Sequence, residues 1–289
     1  MARSRNRSGR RERRHLFYEL ARRFSDHELP IYASAIAFRA IVALIPLVLL
    51  GLGLLGALGL GDTWHISIAP AIKPHVTAPV FRAIDFSAEK ILSSGTVPLI
   101  VFAAALVIWD LTIGVVGVMN ALNRVHDIEE RRSALRRAVT AVLLAICVGV
   151  SLVGAVLVLI VAPRAGGSLH VLLGIGRWLV ALVLLGVAVG VLVRVAPAER
   201  VDARWASAGS LLVIAVWLVA SFLFKLWITS VANFKSATGT LTGLLLLTTY
   251  VFVSSAIFLV GAELDELLRK ETDGRGVALV DAVVAVFRR

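Results

Sequence analysis

The stretch VPLIVFAAALVIWDLTIGVVGVMNAL (residues 97–122) decides the fold class of this chain. It runs for 26 residues with a single ionisable side chain, that of Asp110. An α-helix needs about 20 predominantly apolar residues to cross the hydrocarbon core of a bilayer. The stretch therefore predicts a membrane-spanning helix.

Five further apolar stretches of comparable length lie on either side of it. Together they predict about six spans, at about 31–60, 97–122, 138–162, 172–193, 206–231 and 241–264. Hydrophobic residues make up 58% of the chain and charged residues 17%, with a mean hydropathy of +0.88. Soluble domains contain about 45–50% apolar and about 25% charged residues. We therefore predict an all-α fold, a polytopic transmembrane helical bundle.

Basic residues are distributed unequally between the two sides of this predicted bundle. If the spans alternate in direction, one side holds 22 of the 30 Lys and Arg residues, in the N-terminal segment, two loops and the tail. Segments that remain in the cytoplasm carry an excess of Lys and Arg. The sequence therefore predicts a multi-pass protein with both termini in the cytoplasm.

This topology predicts three regions: a basic cytoplasmic segment, a six-helix membrane domain and a cytoplasmic tail, at residues 1–30, 31–264 and 265–289. Within the first region, residues 15–29 are typical of an interfacial helix, with Phe24 and Leu29 resting on the bilayer. Within the long outer segment 62–96, Phe81 and Ile84 begin an apolar stripe typical of a second interfacial helix. Glycines in the first span predict close helix packing, at Gly51, Gly53, Gly56 and Gly59.

The net charge of +11 indicates the partners of the chain. In a membrane protein, Lys and Arg on the cytoplasmic face are attracted to anionic lipid headgroups. We therefore expect membrane lipids, and not nucleic acid, as partners. The sequence leaves open whether copies assemble into a homo-oligomer.

Motifs of enzymes and metal sites are absent from the sequence. There is no GxxxxGK[ST] loop, no GxSxG elbow and no HExxH or HxxxH pair. The single cysteine, Cys147, has no partner for a disulfide or a CxxC motif. We therefore predict no catalytic residues, no metal site, no cofactor and no ribonuclease activity.

Arg39 and Asp110 are ionisable residues inside predicted spans, where charge is costly and therefore suggests function. At 1.5 Å per residue, Arg39 lies about 12 Å and Asp110 about 18 Å from the cytoplasmic ends of their spans. The difference is within reach of an arginine side chain. We hypothesise that the two residues pair, either along a substrate pathway or as a structural ion pair that fixes helix register.

Polar residues at the cytoplasmic ends of two spans are further candidates for a substrate pathway. Asn120, Asn123 and Arg124 occur in NALNR, where they can alternatively cap the helix and anchor it at the headgroups. Glu263 occurs in GAELDEL at the end of the last span. It is either a proton or cation site or a carboxylate that snorkels to the surface.

Four landmarks, in order, resemble the YihY/BrkB family of bacterial inner-membrane proteins, formerly labelled ribonuclease BN. They are ASAIAFRAIVALIPLVLL (33–50), the tryptophan-bearing span that ends in MNALNRVHDIEERRS (119–133), RVAPAERVDARW (194–205), and SATGTLTG…TTYVFVSSAIFLVGAEL (236–264). The positions that carry the resemblance are Pro46, Trp109, Asn123, Arg124, Arg132, Pro197, Gly209, Gly239, Tyr250, Gly261 and Glu263. Arg39, Asp110 and Asp265 depart from the family's usual residues.

The resemblance implies a six-span protein of the bacterial inner membrane, with a role linked to virulence, serum resistance or the export of envelope lipids. Polar residues in mid-span and a basic inner face favour transport of an anionic or lipidic envelope substrate. The alternative is a scaffold or assembly factor that transports nothing, in which those polar residues serve only helix association. Transport predicts a continuous polar cavity lined by Arg39, Asp110 and residues of the fifth and sixth spans. A scaffold predicts a closed bundle in which those groups satisfy one another.

Overall fold

Long apolar helices make up nearly all of the structure. The computed structural model describes residues 18–75, 78–94, 97–161, 169–199, 208–231 and 237–274, and within these ranges it contains helices and turns but no strand. The long helices are α2 (Leu29–Ala57), α4 (Ala78–Ser94), α5 (Val97–Val125), α6 (Ala134–Val161), α7 (Leu169–Val195), α8 (Ala208–Val231) and α9 (Ala237–Gly274). Helix α1, described over 18–26, precedes them. A π-helical segment (Trp64–Ile68), α3 (Ala69–Ile72) and a 3-10 segment (Lys73–His75) lie before α4.

Length and composition allow five of these helices to cross a membrane. They are α2, α5, α6, α7 and α9, and in α8 the segment Ile214–Trp227 is apolar but shorter. The all-α, polytopic prediction is therefore confirmed. Helix α9 extends to Gly274, ten residues beyond the expected end of the last span, so the first part of the expected tail is helical. The basic segment 1–17 and the end of the tail, 275–289, lie outside the described residues.

The principal contacts between helices form a row with α2 and α5 at its centre. Helix α2 packs most extensively against α5 and also against α9 and α4. Helix α6 lies between α5 and α7, and α8 packs mainly against α9. By these principal contacts the order is α7, α6, α5, α2, α9, α8, with smaller contacts between α5 and α9 and between α2 and α6. The two edge helices each have one principal neighbour, and within 176–195 and 214–227 most of their apolar side chains are exposed.

The start of α2 differs from the expectation that Leu29 and Phe24 rest on the bilayer. Pro30 stands in the first turn of α2, where its missing N–H costs nothing, so the spanning helix already begins at Leu29. Leu29 is fully buried in a cluster completed by Ala33, Ala121, Val125 and Leu259. Phe24 packs against the same cluster, so α1 is attached to the protein itself.

Helix α4 has the expected apolar stripe, but that stripe is covered by protein. Phe81, Ile84 and Ile91 pack against Leu52 near the end of α2 and against Trp64. The Trp64 indole Nε1 donates a hydrogen bond to Asp85 Oδ1 at 2.8 Å. The outer segment therefore folds back onto the bundle.

Glycines in α2 divide into two groups. A Cβ atom on Gly56 would lie 2.7 Å from the carbonyl oxygen of Leu92, and one on Gly53 would lie 3.0 Å from Ile100 Cγ1. These two glycines permit close packing, as expected. Gly51 has no neighbour within 4 Å, so the expectation is wrong there. Gly59 has φ of +67° and instead ends the helix, a left-handed conformation that glycine adopts without strain.

The predicted orientation can be tested with single cysteines in a Cys147→Ser background. Arg131→Cys lies in the α5–α6 loop and Lys90→Cys in α4, and both positions are exposed. In intact spheroplasts, we expect a membrane-impermeant maleimide to label Lys90→Cys and to leave Arg131→Cys unlabelled, because the positive-inside rule places the loop in the cytoplasm. Arg131→Cys should react after permeabilisation, and the reverse pattern would contradict the orientation.

Candidate functional site

Arg39 and Asp110 are brought together in the middle of the apolar row. Arg39 lies ten residues into α2 and Asp110 in the middle of α5, and Arg39 Nη1 is 3.7 Å from Asp110 Oδ1. The Arg39 side chain is 36% exposed and that of Asp110 is 13% exposed. The distance exceeds hydrogen-bond length, so the contact is electrostatic. Asp110 therefore does not saturate the five N–H donors of the guanidinium group.

The neighbours of the Arg39–Asp110 pair leave the Arg39 side chain partly exposed at the surface of the helices. The Arg39 guanidinium lies 5.9 Å from the ring centroid of Phe38, which is itself exposed. A Cβ atom on Gly114 would lie 3.6 Å from Arg39 Cβ, so a small residue lies against the base of the arginine. Trp109, beside Asp110, is also exposed. Arg39, Asp110, Phe38 and Gly114 are thus in contact at the α2–α5 interface.

A second polar region lies at what we call the charged end. It comprises α1, the α5–α6 loop (126–133), residues 196–199 and the last described turns of α9. Two carboxylates of α9, Glu263 and Glu266, are fully buried there, one helical turn apart. Full burial excludes the alternative that Glu263 snorkels to the surface.

Each buried carboxylate is bound by a histidine from a distant part of the chain. His27 Nδ1 lies 2.9 Å from Glu263 Oε2, and His126 Nδ1 lies 2.8 Å from Glu266 Oε2. Arg269 donates to both oxygens of Glu266, at 2.9 and 2.8 Å. Since removing water from a carboxylate is costly, these partners are what allow the two glutamates to be buried.

The loop of the charged end is held by a network around Asn123. The Asn123 amide donates to Glu130 Oε2 at 3.1 Å, and its oxygen accepts from the backbone N–H of Ala198 at 2.8 Å. Arg132 clamps Glu130 through Nε and Nη2, at 2.7 and 2.8 Å, and donates to the Ala196 carbonyl. Asn123 thus ties the α5–α6 loop to the end of α7.

The Arg132 guanidinium, by hydrogen bonding to Glu130, lowers the pKa of that carboxyl from 4.5 to about 2, although partial burial acts in the opposite direction. The Asn123 amide adds a smaller lowering effect on the same pKa. Glu130 therefore stays ionised under all physiological conditions. Its charge is part of the structure of the loop.

The remaining predicted residues fall into different environments. Asn120 accepts a hydrogen bond from Arg137 Nη2, whereas Arg124 is exposed at the rim. Tyr250 of α9 shares a hydrogen bond with Ser221 of α8 at 3.1 Å. Pro46 lies inside α2, and Pro197 and Gly261 are buried. Gly209 and Gly239 lie in the first turns of α8 and α9.

Two clefts adjoin the loop of the charged end. One, of about 440 Å³, is lined by His126, Asp127, Ile128, Glu129, Arg131, Glu199 and Arg269. The other, of about 330 Å³, is lined by Tyr32, Asn120, Asn123, Arg124, Asp127, Ile128, Glu129 and Glu130. Both linings mix acidic and basic side chains, and neither includes Arg39 or Asp110. In the part of the chain that the structure describes, no three His, Cys, Asp or Glu side chains are grouped to hold a metal ion.

Sequence reasoning missed His27, His126 and Glu266. The quoted motifs contain His126 and Glu266, but no local pattern pairs them, because the partners of the two histidine–glutamate contacts are separated by 236 and 140 residues. A weaker signal was present: His27 and His126 stand at the same predicted membrane level as GAELDEL. A second acidic residue three positions after Glu263 lies on the same helix face.

The model of the virulence factor BrkB family matches residues 20–282. A protein of Bacillus subtilis (strain 168) named YfkH, and described in its name as ribonuclease-like, is 22% identical over 262 residues, which cover 87% of this chain and 94% of that protein. No solved structure matches the chain.

The Arg39–Asp110 contact predicts a charge-swap result. Arg39→Asp and Asp110→Arg should each lower the melting temperature in detergent strongly, because each leaves two like charges within an apolar region, at a cost of about 3–5 kcal/mol. The double variant should recover most of the loss. A double variant no more stable than either single variant would contradict the pairing. Arg82→Asp, on exposed α4, serves as the control.

The Glu130–Arg132 clamp predicts a pH dependence of stability. A carboxyl pKa that falls from 4.5 to about 2 on folding stabilises the protein by up to about 3 kcal/mol above pH 4.5, and this contribution is lost as the pH falls toward 2. Glu130→Gln should therefore lower the melting temperature at pH 7, and the difference from wild type should shrink below pH 4.5.

The matched control is Glu129→Gln, whose side chain is 86% exposed. We expect its melting temperature to equal that of wild type across the same pH range, because an exposed ion pair contributes little. If the melting temperature of Glu130→Gln is below that of wild type by the same amount at every pH, the charge of Glu130 is not what stabilises the loop.

Proposed function

Because the chain belongs to the virulence factor BrkB family, as the match over residues 20–282 shows, we propose that it transports an anionic, envelope-related amphiphile across the bacterial inner membrane. Its substrates are lipids or lipid-like molecules with a negatively charged headgroup. Both termini face the cytoplasm, and the basic residues at that side attract anionic lipids to the protein.

The observation that carries this proposal is the Arg39–Asp110 pair. A guanidinium group in the middle of a span is costly unless it is paired or serves a function. Asp110 is the more buried partner and Arg39 the more exposed one. Arg39 therefore directs its positive charge away from the protein interior. Its N–H groups can donate hydrogen bonds to a phosphate or a carboxylate. A guanidinium group in mid-span lowers the free-energy barrier that an anionic headgroup meets when it crosses the bilayer, at the depth where that barrier is highest.

The lateral row of helices supports an amphiphile in particular. The edge helices α7 and α8 expose long runs of apolar side chains, including Trp217, Phe222 and Trp227 on α8. A substrate with acyl chains can keep those chains in the bilayer beside such a row while its headgroup passes Arg39. A fully water-soluble solute would need an enclosed aqueous path instead. The geometry therefore favours a lipidic substrate.

A second candidate function is that of a scaffold that transports nothing. The two clefts that adjoin the loop lie at the charged end, away from Arg39 and Asp110. The polar groups around Asn123 are mutually satisfied, as in a region that only fixes loops. In this interpretation, the Arg39–Asp110 pair fixes the register of α2 against α5.

The name of the Bacillus subtilis relative describes it as ribonuclease-like. We propose that this chain is not an enzyme. Hydrolysis of RNA generally uses metal-bound or acid–base side chains that converge on one cleft. In the first cleft, the imidazole of His126 is already bound to the buried Glu266, and among the described residues no three metal-ligating side chains are grouped. The identity to that relative is 22%.

Transport can be tested in proteoliposomes with phosphatidylglycerol that carries a fluorophore reducible by dithionite. Wild type should expose inner-leaflet lipid to dithionite faster than protein-free vesicles do. Arg39→Gln should slow this transfer by at least about tenfold, which corresponds to about 1.4 kcal/mol of barrier. Phosphatidylcholine with the same label should move more slowly, because its headgroup is neutral overall.

The control must separate function from folding. The double variant Arg39→Leu/Asp110→Leu removes both charges together, which is often neutral for stability. We expect it to keep the wild-type melting temperature and to lose transfer, while Arg82→Gln on α4 keeps both. Transfer by the double leucine variant at the wild-type rate would exclude the pair from the pathway. No transfer by folded wild type would favour the scaffold.

A further inference from the structure

His27 lies between two carboxylates that belong to different parts of the fold. Its Nδ1 contacts the fully buried Glu263 of α9, at 2.9 Å, and its Nε2 lies 3.8 Å from Asp127 Oδ1 in the α5–α6 loop. The His27 side chain is 15% exposed, whereas that of Asp127 is 59% exposed. The three residues form a line from solvent to a buried carboxylate.

The hydrogen-bonding capacities of these groups fix what one added proton does. An ionised carboxylate only accepts, so in the contact with Glu263 the His27 Nδ1 carries the hydrogen, and a neutral ring then has a bare Nε2. That bare nitrogen faces Asp127, which also only accepts. With one more proton, Nε2 carries a hydrogen directed at Asp127. Nε2 carries this hydrogen whether the proton shared with Glu263 is bound to His27 Nδ1 or to the carboxylate.

We propose that His27 is a proton-binding site whose occupancy fastens the junction of α1 and α2 to the α5–α6 loop. Solvent supplies the proton at Nε2, and no other group is consumed or released. In the protonated state, His27 bridges Glu263 and Asp127. In the deprotonated state, the bridge to Asp127 opens while the hydrogen bond to Glu263 remains.

The other charged groups around His27 modulate this site without replacing it. From α1, Arg23 Nη1 approaches Glu263 Oε1 at 3.9 Å and also contacts Glu19. That Glu263 oxygen is buried and accepts no hydrogen bond from the described residues. On α9, Glu266 is bound by His126 and Arg269. His126 is thus a second imidazole nearby, and the test must separate it from His27.

The backbone at the junction provides a point at which α1 can move. Glu28, between the two helices, has φ of 56°, a left-handed conformation that interrupts the helix. Within its described residues, 18–26, helix α1 has no fully buried side chain, and its attachment includes Phe24 in the apolar cluster and the Arg23 and His27 contacts. Changing one of these contacts shifts the position of α1 measurably.

The experiment measures the distance between α1 and the loop by double electron–electron resonance, with no substrate present. Spin labels are placed at Tyr18→Cys and Glu129→Cys, both highly exposed positions, in a Cys147→Ser background. An imidazole changes charge between pH 5 and 8. Between pH 8.5 and pH 6, we expect the ratio of the docked to the undocked population to rise about three- to fivefold, the effect of one partly exposed ion pair.

Three variants make the result specific. His27→Asn retains a donor toward Glu263 and should abolish the pH response, whereas His65→Asn, on the opposite side of the bundle, should leave it unchanged. Asp127→Asn should also abolish the response, and asparagine tolerates the left-handed backbone of this position, where φ is 53°. The Asp127 variant keeps the test valid if His27→Asn does not fold.

A wild-type distance distribution that is the same at both pH values would overturn the proposal. So would a response that persists in His27→Asn and disappears in His126→Asn, which would assign it to the Glu266 pair. Neither outcome depends on transport, so the proton site and the proposed function succeed or fail separately.

Discussion

The lack of water in the hydrocarbon core is the constraint on which this structure depends. Every backbone polar group there must be satisfied within the protein, so the chain crosses as helices, and every charged side chain needs a partner or an opening. Arg39 and Asp110 satisfy each other only loosely, at 3.7 Å. Glu263 and Glu266 satisfy the same constraint differently, through histidines from the α1–α2 junction and from the α5–α6 loop.

The charged end is organised by α9, which supplies both buried carboxylates from one face. Because Glu263 and Glu266 lie one turn apart, they place His27 and His126 side by side and hold the beginning of α2 and the end of α5 against the same helix. Around them, the Glu130–Arg132 clamp and Asn123 fix the loop and the end of α7. Four separate segments of the chain therefore meet at this end through polar contacts.

The sequence predicted the fold class well, because apolar stretches of spanning length follow from the bilayer thickness and need no tertiary information. It also supported the juxtaposition of Arg39 and Asp110, since depth along two helices limits which charges can meet. It did not predict the partners of Glu263, because the choice among six histidines depends on which helices are neighbours. Because the sequence does not show which helices are neighbours, the prediction for Leu29 was also wrong. An apolar side chain is buried equally well by a membrane surface and by a protein core.

Helix α2 joins the two polar regions of the protein. His27 lies two residues before it begins, and Arg39 lies ten residues inside it, about 15 Å further along the axis. Between them, Leu29 and Ala33 pack in an apolar cluster with residues of α5 and α9. Helix α2 itself connects His27 to Arg39, so a change at His27 can reach Arg39 through movement of this helix. Because α2 is also the helix with the most extensive contacts in the row, its displacement would alter the α2–α5 interface, where Arg39 meets Asp110.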